Sequence, residues 1–128
     1  MKLKLVKNEP KYYEFIRKLR LDSENILGFI NQNYITENEQ IEYMKNNHFY
    51  FNICLFEDTP VGFIGVIDND IRIAVNPKYK NRGIGKFMVN EIMKTNPNAL
   101  AKIKSNNLAS IKLFESCGFK IDYLIMKK

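Results

Sequence analysis

Lys80, Arg82 and Lys86 surround two closely spaced glycines in the stretch Lys80-Asn81-Arg82-Gly83-Ile84-Gly85-Lys86. A β-branched run (Ile71, Ile73, Val75) leads into it through Asn76-Pro77. Helical spacing follows at once, with Ile84, Phe87, Met88 and Ile92 on one face. A strand, a glycine turn and a helix N-terminus in that order make an anion site. First-turn N–H groups point at the ligand, and the helix dipole adds about half a positive charge. Gly83 and Gly85 let the backbone approach a phosphate where a Cβ would obstruct it. With three cationic side chains around them, the stretch reads as a cradle for a pyrophosphate. Two familiar phosphate loops are excluded. The dinucleotide fingerprint G-x-G-x-x-G needs a third glycine where Met88 stands, and G-x-x-x-x-G-K-[ST] needs a partner glycine that Gly83 lacks.

What remains is [RKQ]-x-x-G-x-G after a strand ending in V-x-P. A second stretch, Asn107-Leu108-Ala109-Ser110-Ile111-Lys112-Leu113-Phe114-Glu115-Ser116-Cys117-Gly118-Phe119, follows N-x-x-[AS]-I-x-L-[YF]-x-x-x-G-F, about 20 residues further on. That interval suits the rest of a helix and a strand. Together the two stretches resemble the signatures of the GNAT superfamily of acetyl-CoA-dependent N-acetyltransferases, from roughly residue 49 to residue 119. Lys80 keeps the charge where that family usually has Gln or Arg.

The resemblance implies a division of labour. Lys80, Asn81, Arg82, Gly83, Ile84, Gly85 and Lys86 would hold the phosphates of acetyl-CoA. The pantetheine arm would pair with the main chain of Ile73 and Val75, where a strand N–H also polarises the thioester carbonyl. Asn107 would hydrogen-bond the arm, with Ser110 and Phe114 beside it. Asn107 is equally suited to be a helix N-cap, and both roles are compatible.

Amine acetylation by direct attack needs a proton removed from the amine, a stabilised oxyanion, a protonated thiolate and aligned substrates. For the base, the family often uses a carboxylate near the central strand acting through water, which points to Asp70 and Asp68, with Glu57 on a hairpin turn. Simple turn chemistry accounts for Asp68-Asn69-Asp70 as well. His48 is the only histidine, a residue type suited to acid–base work, yet it reads as part of an exposed loop after Asn46-Asn47. For the acid, the family's Tyr in the last helix is Phe114 here, which has no proton to give. Tyr123 and Cys117 are substitutes, or the thiolate leaves unassisted, its pKa near 8–9 making it a fair leaving group. The acceptor would be walled by the first two helices. Phe29, Tyr34 and Tyr43 offer stacking and Asn31, Gln32 and Asn33 offer amides. A few residues there (Leu19-Arg20, Ile35-Thr36, Gln40, Tyr43) are similar to members that acetylate nucleotide-linked amino sugars.

The elements that must position these groups are legible in order. Residues 2–7 alternate as a short strand, and residues 10–21 carry an amphipathic helix with a basic outer face. Residues 22–35 lack a period and read as a loop. Thr36-Glu37-Asn38-Glu39 is a capping box opening a second helix. Residues 49–56 and 61–67 form a hairpin, 71–75 the central strand, 83–94 a long helix, 100–103 a short buried strand and 107–117 the last helix. Residues 119–126 read as a closing strand. The expected fold is α/β (α+β): one mixed, mostly antiparallel, splayed sheet flanked by helices, a GNAT fold with a shortened C-terminal strand region.

Composition sets the outer bounds. With 128 residues, the chain is expected to be a single domain spanning 1–128. No apolar run approaches the ~20 residues a membrane span needs, and the first seven residues are too short and charged for a signal peptide. Cys54 and Cys117 show no metal-ligand spacing and suit free thiols in a cytoplasmic protein. The net charge of +6 favours anionic partners, coenzyme A among them. Its lysines are spread rather than clustered, against nucleic-acid binding. The expected activity is acetyl transfer from acetyl-CoA to a primary amine of a small molecule, without metal, by a monomer or homodimer. A protein or peptide acceptor and a non-catalytic acyl-CoA sensor are the alternatives.

Overall fold

A computed structural model describes residues 2–128. β1 (Leu3–Lys7) is followed by α1 (Tyr13–Leu21) and α2 (Glu37–Asn47). β2 (Phe51–Phe56), β3 (Thr59–Ile67) and β4 (Asp70–Val75) run as a meander, and α3 (Ile84–Thr95) and α4 (Leu108–Ser116) complete the order. The sheet order is β1-β2-β3-β4, with every neighbouring pair antiparallel. A single parallel bridge joins Asp70 to Leu100.

Local chemistry accounts for the joints. Thr36 Oγ1 accepts from the Glu39 N–H and Glu39 Oε1 accepts from the Thr36 N–H, both at 3.1 Å, so the capping box starts α2. Asp68 and Asn69, with φ of 53° and 63°, form the two-residue loop between Ile67 and Asp70. Two left-handed residues suit the twist of a tight hairpin, and Asp and Asn tolerate that region best after glycine.

Helices cover the sheet on both faces, which is why β3 reads as a nearly unbroken apolar run. On the α3 side, Cys54, Ile64, Ile71, Ile84, Met88, Val89 and Ile92 form one buried cluster. On the α1–α2 side, Ile16, Leu19, Met44, Phe51, Ile53, Phe63 and Ala74 form the other. A bulge where Cys54 faces Gly62 and Leu55 faces Pro60 leaves Val61 without a β2 partner. The extra residue shifts the alternation, so Val61 joins the α3-side cluster while Phe63 faces α1 and α2.

Several expectations change. Residues 10–12 are a 3-10 turn ahead of α1 rather than its first turn. The outer face of α1 is less basic than its sequence suggests, because Arg17 is buried. Its guanidinium is held by Glu14 and by the Ile35 carbonyl at 3.0 Å. His48 is half-buried rather than exposed, its Nδ1 lying 2.6 Å from the Tyr13 hydroxyl. The expected strand at 100–103 is only the Leu100 bridge, held by Ile71 N–H to Leu100 O at 2.9 Å and Leu100 N–H to Asn69 O at 2.7 Å. Leu100 itself is 42% exposed, and Ala99, Ala101 and Ile103 pack on the α3-side cluster instead. The closing strand at 119–126 does not form; Ile121, Tyr123, Leu124, Ile125 and Met126 are all exposed. In the expected order its partner would be the strand at 100–103, and that segment is reduced to the one Leu100 bridge.

Candidate active site

The cleft opens where β4 loses its neighbour. Ile71 donates to Leu100 on the side away from β3. Backbone direction repeats every second residue in a strand, so Ile73 and Val75 present their N–H groups to the same edge, beyond the bridge. The Val75 carbonyl is taken by Asn25 Nδ2 at 3.0 Å, and the same amide donates to Leu19 O at 3.0 Å. Asn25 therefore ties the loop after α1 to the end of β4. Beside this edge lies a cleft of about 940 Å³, bounded by β4, the glycine turn, the start of α4 and residues 24–29.

The glycine turn forms one end. Asn76 Oδ1 accepts from the Lys78 N–H at 3.0 Å, starting the 3-10 turn Pro77–Tyr79. Asn81 (φ 62°) and Gly83 (φ 79°) then bend the chain into α3. Gly83 is the N-cap, and a Cβ built there meets nothing within 4 Å, so its surface is open to a ligand. Gly85 also borders the cleft, but its missing Cβ answers a different need. A Cβ there would lie 3.1 Å from Leu113 Cδ2, so glycine allows α3 and α4 to approach. Lys80 and Lys86 line the cleft, whereas Arg82 lies over the Tyr79 ring at 5.2 Å, outside the lining.

The opposite wall comes from α4 and the loop it meets. Asn107 Oδ1 accepts from the Ser110 N–H at 3.2 Å, the N-cap role, while both residues line the cleft. Gly28 packs so closely that a Cβ would fall 2.7 Å from Asn107 Nδ2. Lys104 Nζ donates to the Leu27 carbonyl at 3.3 Å. Glu24, which no sequence pattern singles out, is the carboxylate on the cleft wall, and it meets Lys80 Nζ at 3.2 Å. A pairing across 56 residues leaves no periodic trace in the sequence.

The fold thus brings together Phe29, Ile73, Val75, Lys80, Asn81, Gly83, Ile84, Gly85, Lys86, Asn107 and Ser110. Other expected residues lie elsewhere. Phe114 is 5% exposed in the α3-side core and meets Phe119 edge-on at 5.0 Å. Asp68 belongs to the hairpin turn, and Asp70, 23% exposed, stands on β4 beside Arg72. Tyr34 and Tyr123 are exposed away from the cleft lining. Tyr43 packs on the α1–α2 side, where burial pushes its phenol above the ordinary value and Arg72 Nη1 donates to its oxygen at 3.1 Å. Cys54 is fully buried, and desolvation pushes its thiol up to about 11, so Cys117 is the more accessible free cysteine. Among the described residues, no three His, Cys, Asp or Glu side chains gather to hold a metal ion, and no helix is long and apolar enough to cross a membrane.

Because Phe114 is a core residue, Phe114→Tyr has a defined cost. A hydroxyl buried without a partner is worth about 1–3 kcal/mol. The variant is expected to melt several degrees lower with no gain in acetyl transfer. Thermal melting and a thiol-release assay check both parts, and faster transfer would mean that the new hydroxyl reaches the cleft.

An open strand edge runs beside a glycine turn at a helix N-terminus. The acetyltransferase (GNAT) family model matches residues 10–119, and the chain belongs to that family. Solved structures share the fold. A domain from Methanocaldococcus jannaschii superposes with a TM-score of 0.80 at 24% identity, covering 93% of this chain and 88% of that one. Spermidine N-acetyltransferase from Vibrio cholerae, in complex with CoA and spermine, gives 0.78 at 19% identity, covering 94% and 82%. Ribosomal-protein-alanine N-acetyltransferase from Brucella melitensis gives 0.77 at 19% identity, covering 91% and 84%. No curated protein matches the chain.

Proposed function

We propose that the protein transfers an acetyl group from acetyl-CoA to a primary amine of a small molecule, by direct attack within a ternary complex. The observation that carries this reading is the unpaired edge of β4 at Ile73 and Val75, continuous with the cradle at Gly83. The residues fit the group. Gly83 leaves open space at a helix N-terminus, where first-turn N–H groups and Lys86 hold phosphate oxygens. Lys80 adds a second cation by exchanging Glu24 for phosphate. When bound, acetyl-CoA supplies a thioester carbonyl carbon and a thiolate leaving group. The N–H groups of Ile73 and Val75 hold the arm in register, and one of them stabilises negative charge developing on the carbonyl oxygen. Asn107 and Ser110 border the arm from α4.

For the proton on the amine, Asp70 is read as the base; it stands outside the cleft lining, so it acts through intervening water rather than by contact. It shares a β4 face with Arg72 and Ala74, and Ala74 lines the cleft. Phe114 lies in the core, so the thiolate leaves without an acid from α4. The acceptor, read as a small amine, enters between the 24–29 loop and the α1–α2 side of β4, where Phe29 is the aromatic wall.

A thermal-shift titration with acetyl-CoA, CoA and NAD tests the reading. At ~100-fold over Kd a native-state ligand stabilises by about 2.7 kcal/mol, which is several degrees for a chain of this length. Shifts with acetyl-CoA and CoA but not NAD are expected. No shift with any of them would remove the basis of the cradle.

A further inference from the structure

Two arginines stand at the end of the acceptor wall. Arg20, on α1, lays its guanidinium over the Phe29 ring at 4.6 Å and donates from Nη2 to the Asn31 carbonyl at 2.8 Å. Arg72, on β4, donates from Nη1 to the Tyr43 hydroxyl at 3.1 Å. Phe29 borders the cleft, and so does Ala74, the next residue along Arg72's face of the strand. Neither arginine is itself part of the cleft lining, but each stands next to a residue that is, on the α1–α2 side opposite the face that packs on α3.

We propose that Arg20 and Arg72 form an anion pocket at the acceptor site, so that the amine acetylated here also carries a carboxylate or a phosphate. This deepens the proposed function and rests on its placement of the acceptor.

A guanidinium has five N–H donors. Among the described residues, Arg20 spends its bonds on one carbonyl, and Arg72 spends its own on one phenol. The only carboxylate paired with either is Asp70, at 3.9 Å from Arg72 Nε, beyond hydrogen-bond reach. Two cations against one carboxylate leave a net positive site with forks to spare, the geometry that takes a planar carboxylate or a phosphate bidentately. The arginines also repel each other. Burial first, and then Arg72, hold the Arg20 guanidinium below its ordinary value. A bound anion relieves that repulsion, whereas a polyamine adds to it.

The test presents wild type with glucosamine, glucosamine 6-phosphate, γ-aminobutyrate and spermidine. Binding is followed by amide chemical shifts around residues 20, 43 and 72, and transfer by thiol release from acetyl-CoA. Arg20→Gln and Arg72→Gln are run in parallel, with Arg20→Lys and Arg72→Lys as charge-keeping rescues. Glucosamine 6-phosphate, γ-aminobutyrate or both are expected to bind at least roughly 10-fold tighter than glucosamine and spermidine. Each Gln variant is expected to lose that preference while the CoA thermal shift stays unchanged, and each Lys variant to recover part of it. The phosphate and carboxylate arms distinguish the two anions. Equal or better binding of spermidine, or equal loss of all four amines in the Gln variants, overturns the pocket and leaves the transfer reading standing. Arginine-dependent binding of the anionic amines without thiol release supports the pocket and refutes transfer.

Discussion

Gly83→Asp is expected to lower CoA affinity by roughly 100-fold or more, because a carboxylate ~4 Å from a phosphate repels it by about 4 kcal/mol at an effective dielectric near 20. The substitution places that charge in open space at the N-terminus of α3, where a Cβ meets no other atom within 4 Å. Its folding cost is small by comparison. A left-handed residue other than glycine costs about 1–2 kcal/mol, less for Asp, whose side chain bonds locally; the φ of 79° is all that opposes it. Gly83→Asn is the matched control, with the same backbone demand and no charge, and is expected to keep much more affinity. Isothermal titration with CoA, beside urea melts of all three proteins, reads both quantities. CoA affinity equal to wild type in Gly83→Asp would place the phosphates elsewhere.

The second large effect is on stability. Phe63→Ala is expected to cost about 3–5 kcal/mol, from lost transfer energy and the cavity left behind. Phe63 is 2% exposed at the centre of the α1–α2 cluster and meets Phe51 edge-on at 5.9 Å. Proteins of this size are stable by only about 5–15 kcal/mol, so much of the margin goes. The urea midpoint should fall with little change in slope. The same cluster supports Phe29 and Tyr43, so acceptor binding is expected to weaken more than CoA binding at low temperature. A midpoint shift of under about 1 kcal/mol would mean that α1 and α2 collapse into the space, a relaxation that lowers such costs.

The strand–glycine turn–helix segment was legible because its parts are local. Strand, proline, glycine turn and helix fall within residues 71–92, and each announces itself by period or by a residue type that few others can replace. The capping box at Thr36 and Glu39 and the N-cap at Asn107 were legible for the same reason. One local reading nonetheless changed meaning. Gly85 reads as a phosphate glycine, yet its missing side chain makes room for Leu113 on another helix. Phe114 reads as core or as packing on the pantetheine arm, and it lies in the core, outside the cleft lining.

The sequence by itself determined the family, the order of the four strands and four helices that form, and the glycine turn at the start of α3. These rest on short-range patterns and on paired motifs with a required spacing. Tertiary structure alone decided where β4 stops being paired, which is what makes a cleft. It decided that residues 100–103 touch the sheet once and that the 119–126 segment does not join it. It also set the contacts between distant segments: Asn25 on Val75, Glu24 on Lys80, Arg20 over Phe29 and Arg72 on Tyr43. Such contacts join polar side chains tens of residues apart, on segments with no common period. Their energies arise only once the hydrophobic clusters have fixed the helices on the sheet, and a linear pattern holds no record of that geometry.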